Sequence, residues 1–257
     1  MAIGGDKTEI MRDNGYRVYR GMIDDCFANE VGIDGVTKTT CRLQNSKVMV
    51  FTGLMNNEIF NSRIANILND VLASGKGLTI VAKEYTTDLI EVIKQFKRSS
   101  PGVPLLLVDH AVATRRGASR LGDLAAVVNA TPIDETTEVL DASMLGDAIE
   151  IRSTGSETVF LTASRPESVT KRANEIMAQI DRVDTNNHDE SMSLELEELR
   201  ARVRALLGSE VTIFVGGSTD LEKKTLQYLL DDAALAVKAA KSGGIVEGLG
   251  FTTIRAD

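Results

Sequence analysis

Short apolar runs alternate with helical stripes through the first part of the chain, and helical stripes take over after Arg165. Residues 1–13 are polar and read as a lead-in segment rather than a domain. Gly15 to Ile23, GYRVYRGMI, has strand character, and the mixed stretch from Asp24 to Cys41 suggests loops with short strands. Lys47 to Thr52, KVMVFT, is apolar and β-branched enough for a buried strand. Ile64, Ile67, Leu68, Val71 and Leu72 share one helical face, which Gly75 ends. Leu78 to Ala82 is another short strand, and Leu89, Ile90, Val92, Ile93 and Phe96 suggest another helix. Ser99-Ser100-Pro101-Gly102 is a turn before Val103 to Val108, the most apolar strand. A helix follows near Arg116 to Val127.

Ala148 to Arg152 and Thr158 to Leu161 read as an antiparallel pair joined by Ser153-Thr154-Gly155-Ser156. The alternation predicts an α/β layer with some parallel pairing. Beyond Arg165, Val169, Ala173, Ile176, Met177, Ile180 and Val183 form one stripe. Thr185 to Ser191 is a polar break, and Leu196, Leu199, Val203 and Leu206 form a second stripe ended by Gly208. Two such helices predict an antiparallel hairpin covering the sheet. Val211 to Val215 is a strand leading through Gly216-Gly217-Ser218-Thr219 into a long helix that stops at Gly243-Gly244. Thr219 and Glu222 supply a capping-box pattern. Leu221, Tyr228, Leu229, Ala233, Ala236, Val237 and Ala240 keep a helical spacing along it. Asp231 and Asp232 sit inside that helix.

Composition narrows the function classes. With 257 residues the chain holds one large domain or two small ones, and 43% hydrophobic with 26% charged residues suits a soluble globular protein. A net charge of -8 leaves no basic surplus for phosphates, which argues against nucleic-acid binding. Cys26 and Cys41 have no metal spacing, and His110 and His188 are far apart, so neither a zinc site nor a disulfide framework is expected. No run approaches a membrane span, no secretory signal opens the chain, and the expected location is cytoplasmic. No nucleophile–base pair points to covalent chemistry on a small substrate.

Several segments taken together resemble the group I, GroEL-like chaperonins. Asp231-Asp232-Ala233 and the following G-I-V-E-G-L-G turn stand where that family has an acidic residue, Asp, Ala and a G-V-V-A-G-G-G turn. GYRVYRGMIDDCF is similar to its R-G-Y-x-S-P-Y-F strand, and VLASGKGLTIVA to its A-K-A-G-K-P-L-L-I-I-A. The resemblance implies an apical-type β/β/α layered domain with a C-terminal helical hairpin, followed by a strand and long helix of an intermediate domain. It divides the chain into 1–13 from the intermediate domain, an apical domain at 14–210, intermediate-domain elements at 211–250, and 251–257 as the start of an equatorial domain. That nucleotide-binding domain, with its phosphate loop, has no counterpart here, so the chain is expected to be a piece of a larger chaperonin.

The resemblance also implies sites. The family binds non-native polypeptide, and a co-chaperonin loop, in an apolar groove between two helices. Carried over, the groove takes Met22, Cys26 and Phe27 from the first loop, Ala65 and Leu68 from one helix, and Ile90, Lys94 and Gln95 from the next. Met22 and Cys26 replace family aromatics, and Lys94 and Gln95 replace aliphatics, which narrows the greasy strip. Asp232 matches the aspartate that positions water at the nucleotide's terminal phosphate. Gly248, Leu249 and Gly250 match the nucleotide turn, with Leu249 replacing the central glycine. Arg20 and Asp220 occupy positions that pair between neighbouring subunits, and Gly15 and Gly208 sit at hinge positions.

For the intact family member the resemblance implies ATP, Mg²⁺ and partner subunits of a ring. No cofactor or ATPase activity is expected of this chain alone. Three readings stand at this point. The chain is a chaperonin fragment that binds unfolded polypeptide, an independent α/β domain that binds a phosphate or nucleotide at Gly216–Thr219 on a helix N-terminus, or a structural ring piece without client binding.

Overall fold

The computed structural model describes residues 2–3, 8–31, 38–110, 115–137, 140–184, 190–208 and 210–245. The chain divides into two compact units, one of residues 1–12 and 211–257, the other of residues 13–210.

The larger unit is built on a mixed sheet. Its strands are β2 (Glu9–Val18), β3 (Glu30–Val31), β4 (Lys38–Met55), β5 (Gly77–Tyr85), β6 (Leu105–Asp109), β7 (Gly146–Ser153) and β8 (Thr158–Thr162). Their spatial order is β2-β8-β7-β4-β5-β6, with β3 paired to the start of β4. The β2, β8, β7 and β4 neighbours run antiparallel, whereas β4, β5 and β6 run parallel. The expected antiparallel pair is present, with Ser153 opposite Thr158 across the turn. The parallel strands carry continuous apolar runs because both faces are covered. Val48 to Val50, Leu78, Ile80 to Ala82 and Leu105 to Val108 are all fully buried.

Helices α1 (Asn57–Ile59), α2 (Ala65–Ala73) and α3 (Thr87–Ser99) connect the parallel strands, and a π-helical stretch at Phe60–Ile64 joins α1 to α2. Gly75 takes a φ of +74° just past α2, a conformation glycine adopts without steric cost. Helix α4 (Arg115–Val128) packs on β4, β5 and β7. Helices α5 (Glu167–Asp184) and α6 (Glu190–Leu207) pack on each other and on α4. The hairpin thus covers the sheet mainly through α4.

Asp123 on α4 explains that seating. Its carboxylate is fully buried, and it accepts from Arg172 Nε at 2.9 Å and from Arg202 Nε and Nη2 at 2.7 and 2.8 Å. A buried charge must be paired and hydrogen-bonded, and this one draws its partners from both helices of the hairpin.

Several strand boundaries differ from the sequence reading: the strand expected at Lys47–Thr52 runs from Lys38 to Met55, and two other differences have a local cause. The strand expected at Gly15–Ile23 ends at Val18. Gly21 lies so close to the Thr154 carbonyl that a Cβ would sit 1.8 Å from it, and the chain there packs rather than pairs. The strand expected from Val103 begins at Leu105, because Pro104 has no N–H and the Val103 N–H is used in the turn on Ser100.

In the smaller unit β1 (Ala2–Ile3) pairs parallel with β9 (Glu210–Val215). The lead-in segment therefore contains β1 and the start of β2. Helix α7 (Asp220–Gly243) begins at the Thr219 cap and ends at Gly244 with a φ of +79°. None of its residues is buried.

Candidate functional site

The loop after β2, which carries Met22, Cys26 and Phe27 of the expected groove, packs against α3. A 3₁₀ turn at Asp25–Phe27 begins that loop's return, and Asp24 caps it by accepting from the Cys26 N–H at 2.9 Å. Packing decides which of the expected residues remain available. Met22, Phe27 and Leu68 are core residues, at 5%, 1% and 7% exposure. Met22 makes a single bridge to Val108, and its N–H reaches the Thr154 carbonyl. Phe27 also has the Lys97 ammonium 5.9 Å from its ring centre. Burial lowers the Lys97 pKa, and its Nζ donates to the Val103 carbonyl. These three side chains support the walls from within and do not form the open surface the sequence reading gave them.

Cys26, Ala65, Ile90 and Lys94 are half-buried and Gln95 is exposed. At 100° per residue, Ile90 and Lys94 flank one side of the buried Leu89–Ile93–Lys97 stripe, and Val92 and Phe96 flank the other. The exposed apolar side chains of α3 are on the second flank, with Val92 at 49% and Phe96 at 38% exposure. Burial, with help from Asp24, pushes the Cys26 thiol up to about 11, so it stays protonated and acts as a small apolar wall.

Lys94 does more than narrow the strip. Its Nζ lies 3.0 Å from Asp24 on the loop and 3.0 Å from Glu91 one turn back. Burial would raise the Asp24 pKa, but the Cys26 N–H and Lys94 overcome that and hold it below the usual carboxylate range. The ion pair ties the loop to α3 on the Ile90 flank. The sequence reading missed Asp24 and Glu91. The (i, i+3) spacing of Glu91 and Lys94 was readable, whereas the Asp24 contact depends on the loop path.

The remaining expected positions are dispersed. Asp232 and Asp220 are exposed on α7, in the smaller unit, while Arg20 is exposed in the larger one. Gly248, Leu249 and Gly250 lie outside the described residues. Gly15 pairs with Leu161 within β2, and Gly208 follows α6. Both border one small cavity with Asn14 and Leu206. At the Gly216–Thr219 turn, Thr219 Oγ1 accepts from the Glu222 N–H at 3.2 Å and Glu222 Oε2 accepts from the Ser218 N–H at 2.9 Å. The chain's own carboxylate thus occupies the place an anion would take.

The comparisons with known proteins bear on the whole chain. No protein-family profile matches it. It is 29% identical over 251 residues to the RuBisCO large subunit-binding protein subunit beta of the Pisum sativum chloroplast, covering 95% of this chain and 40% of that protein. It is 27% identical over 260 residues to chaperonin GroEL of Anaplasma phagocytophilum, covering 98% of this chain and 45% of that protein. The chain is similar to the GroEL-like chaperonins. It spans less than half the length of these curated relatives. Its fold matches the crystal structure of the chaperonin gp146 of bacteriophage EL 2 (Pseudomonas aeruginosa), with TM-scores of 0.64 and 0.54 in two crystal forms and 19% and 18% identity. That alignment covers 96% of this chain and 46% of the phage protein, so the α/β architecture is a chaperonin one.

Proposed function

We propose that this chain is the polypeptide-binding part of a chaperonin and that it holds non-native protein along the Ile90 flank of α3. The observation that carries the reading is the likeness to chaperonin GroEL, 27% identical over 98% of the chain. The local geometry supports it, because Cys26, Ala65 and Ile90 are small or aliphatic and half-buried, and the Asp24–Lys94 ion pair ties the Cys26 loop to α3. Half-buried apolar surface suits a ligand recognised by greasiness rather than by sequence. Non-native polypeptides and a co-chaperonin loop are the partners this surface fits. For the full-length protein the reading extends to a cytoplasmic ring of subunits that uses ATP and Mg²⁺, with Asp232 at the nucleotide. Among the described residues no helix is long and apolar enough to cross a membrane. The chain by itself is expected to hydrolyse no ATP.

The anion-site alternative at Gly216–Thr219 is disfavoured by Glu222, which satisfies the Ser218 N–H and, with Asp220, places negative charge at the helix start. The proposed client site is tested by titrating a labelled, permanently unfolded polypeptide into the chain and following anisotropy, beside Lys94→Val. Removing the ion pair and adding an aliphatic side chain is expected to tighten binding by about tenfold, the gain from burying one valine-sized group. An unchanged affinity would show that the client is held elsewhere.

A further inference from the structure

The larger unit holds a second polar site, on the face formed by β2, α4 and α6. A cavity of about 180 Å³ is lined by Tyr16, Arg17, Arg20, His110, Arg120 and Arg202, together with small and apolar neighbours, and no carboxylate lines it among the described residues.

Its floor carries Tyr16 and His110, two polar side chains that are almost wholly buried. Tyr16 is 5% exposed, and no hydrogen bond reaches its hydroxyl among the described residues. His110 is 3% exposed, and its Nδ1 is buried without a partner among the described residues. Burial lowers the His110 pKa, and Arg120 and Arg20 add to that against its own backbone and Asp109, so the ring is neutral and carries one N–H. Burial, and then Asp123, raises the Tyr16 pKa, so its hydroxyl keeps its proton and can donate. Among the described residues Arg120 donates through Nη2, to Glu198 at 3.4 Å. Arg202 commits Nε and Nη2 to Asp123 and leaves Nη1 without a hydrogen bond among the described residues. Arg17, bound to Glu157 at 2.8 Å, and the exposed Arg20 complete the rim.

Buried donors without acceptors are costly unless something accepts from them. Guanidinium groups arranged around a neutral donor floor match an acceptor-only ligand with several oxygens, and Arg is the residue best shaped for it. We propose that this cavity binds a phosphate group, either free inorganic phosphate or the phosphate of a small molecule. Tyr16 and His110 donate from the floor, and Arg120 and Arg202 donate from the wall. Asp123 is the positioning residue that fixes Arg202 while being unavailable to the ligand. This site is independent of client binding along α3.

The test uses the whole chain at constant ionic strength. Inorganic phosphate, a small phosphomonoester such as glycerol phosphate, and acetate are titrated separately by calorimetry, with thermal melting alongside. Saturable binding of either phosphate with a rise in Tm is the expected result, and a preference between the two identifies the source. Tyr16→Phe, which keeps the ring in the core, is expected to weaken binding several-fold, and Arg120→Gln about tenfold, the loss of one charged hydrogen bond. Both variants are checked for a wild-type circular dichroism spectrum. No saturable binding, binding of acetate as tight as that of phosphate, or unchanged affinity in a folded Arg120→Gln would overturn the proposal.

Discussion

Helices α3 and α7 carry apolar residues at the same spacing, yet the molecule treats them in opposite ways. On α3, Leu89 and Ile93 are buried at 0% and 2% exposure against the core of the larger unit. On α7, Leu221, Tyr228, Leu229, Leu235 and Val237 are all exposed, at 60% or more. Both helices are real, and each is set by local signals. Thr219 caps α7 through the Glu222 N–H, and Gly244 closes it. The difference is in what lies opposite the stripe. Periodicity tells which face of a helix is greasy, but only the rest of the fold decides whether that face is covered.

The comparison can be broken most forcefully where the larger unit buries charge. Asp123→Ala strands Arg172 and Arg202, and is expected to cost about 3–5 kcal/mol in a denaturant titration. Leu89→Ala leaves a cavity under α3 and is expected to cost about 2–5 kcal/mol by the same measurement. Thr219→Ala removes the α7 cap and is expected to cost about 1 kcal/mol, read as increased amide exchange in the first turn of that helix. Leu229→Ala, the same truncation on the exposed stripe, is expected to change stability by less than about 0.5 kcal/mol. If Leu229→Ala cost as much as Leu89→Ala, the two stripes would not differ in cover.

The smallest effect concerns the ion pair on the Ile90 flank. The folded Asp24 carboxyl titrates below its ordinary value, so its contribution is present above that value, near 3.8, and is lost as pH falls through the lower folded pKa. Acidification through that window is expected to loosen the Asp24–Lys94 contact, seen as a shift of the Cys26 amide signal, and Asp24→Asn is expected to abolish the pH step. High salt should weaken the contact at neutral pH as well.

The fold was largely legible because its signals are local. The apolar runs around Val48, Ile80 and Leu106 could only be covered strands, and the glycines after α2 and α7 marked true ends. The route after Val18 was not legible, since it depends on Gly21 meeting the Thr154 carbonyl, a contact between residues far apart in sequence. Exposure among the expected groove residues was not legible. Ile90 and Phe27 both read as apolar groove residues, but Phe27 is enclosed by the core while Ile90 remains at the edge. The role of Lys94 was half visible: its polarity was plain, but its partner Asp24 was not.

The measurement that tests the central claim most directly compares the two flanks of α3. A labelled, permanently unfolded polypeptide is titrated against the wild-type chain, Ile90→Glu and Val92→Glu, with folding of each checked by circular dichroism. The account expects saturable binding by the wild type, a loss of at least about tenfold in Ile90→Glu and little change in Val92→Glu, as burying a charge beside the client is far costlier than placing one outside it. No binding by the wild type at about 50 µM, where a micromolar complex would be saturated, or loss in Val92→Glu with retention in folded Ile90→Glu, would contradict it.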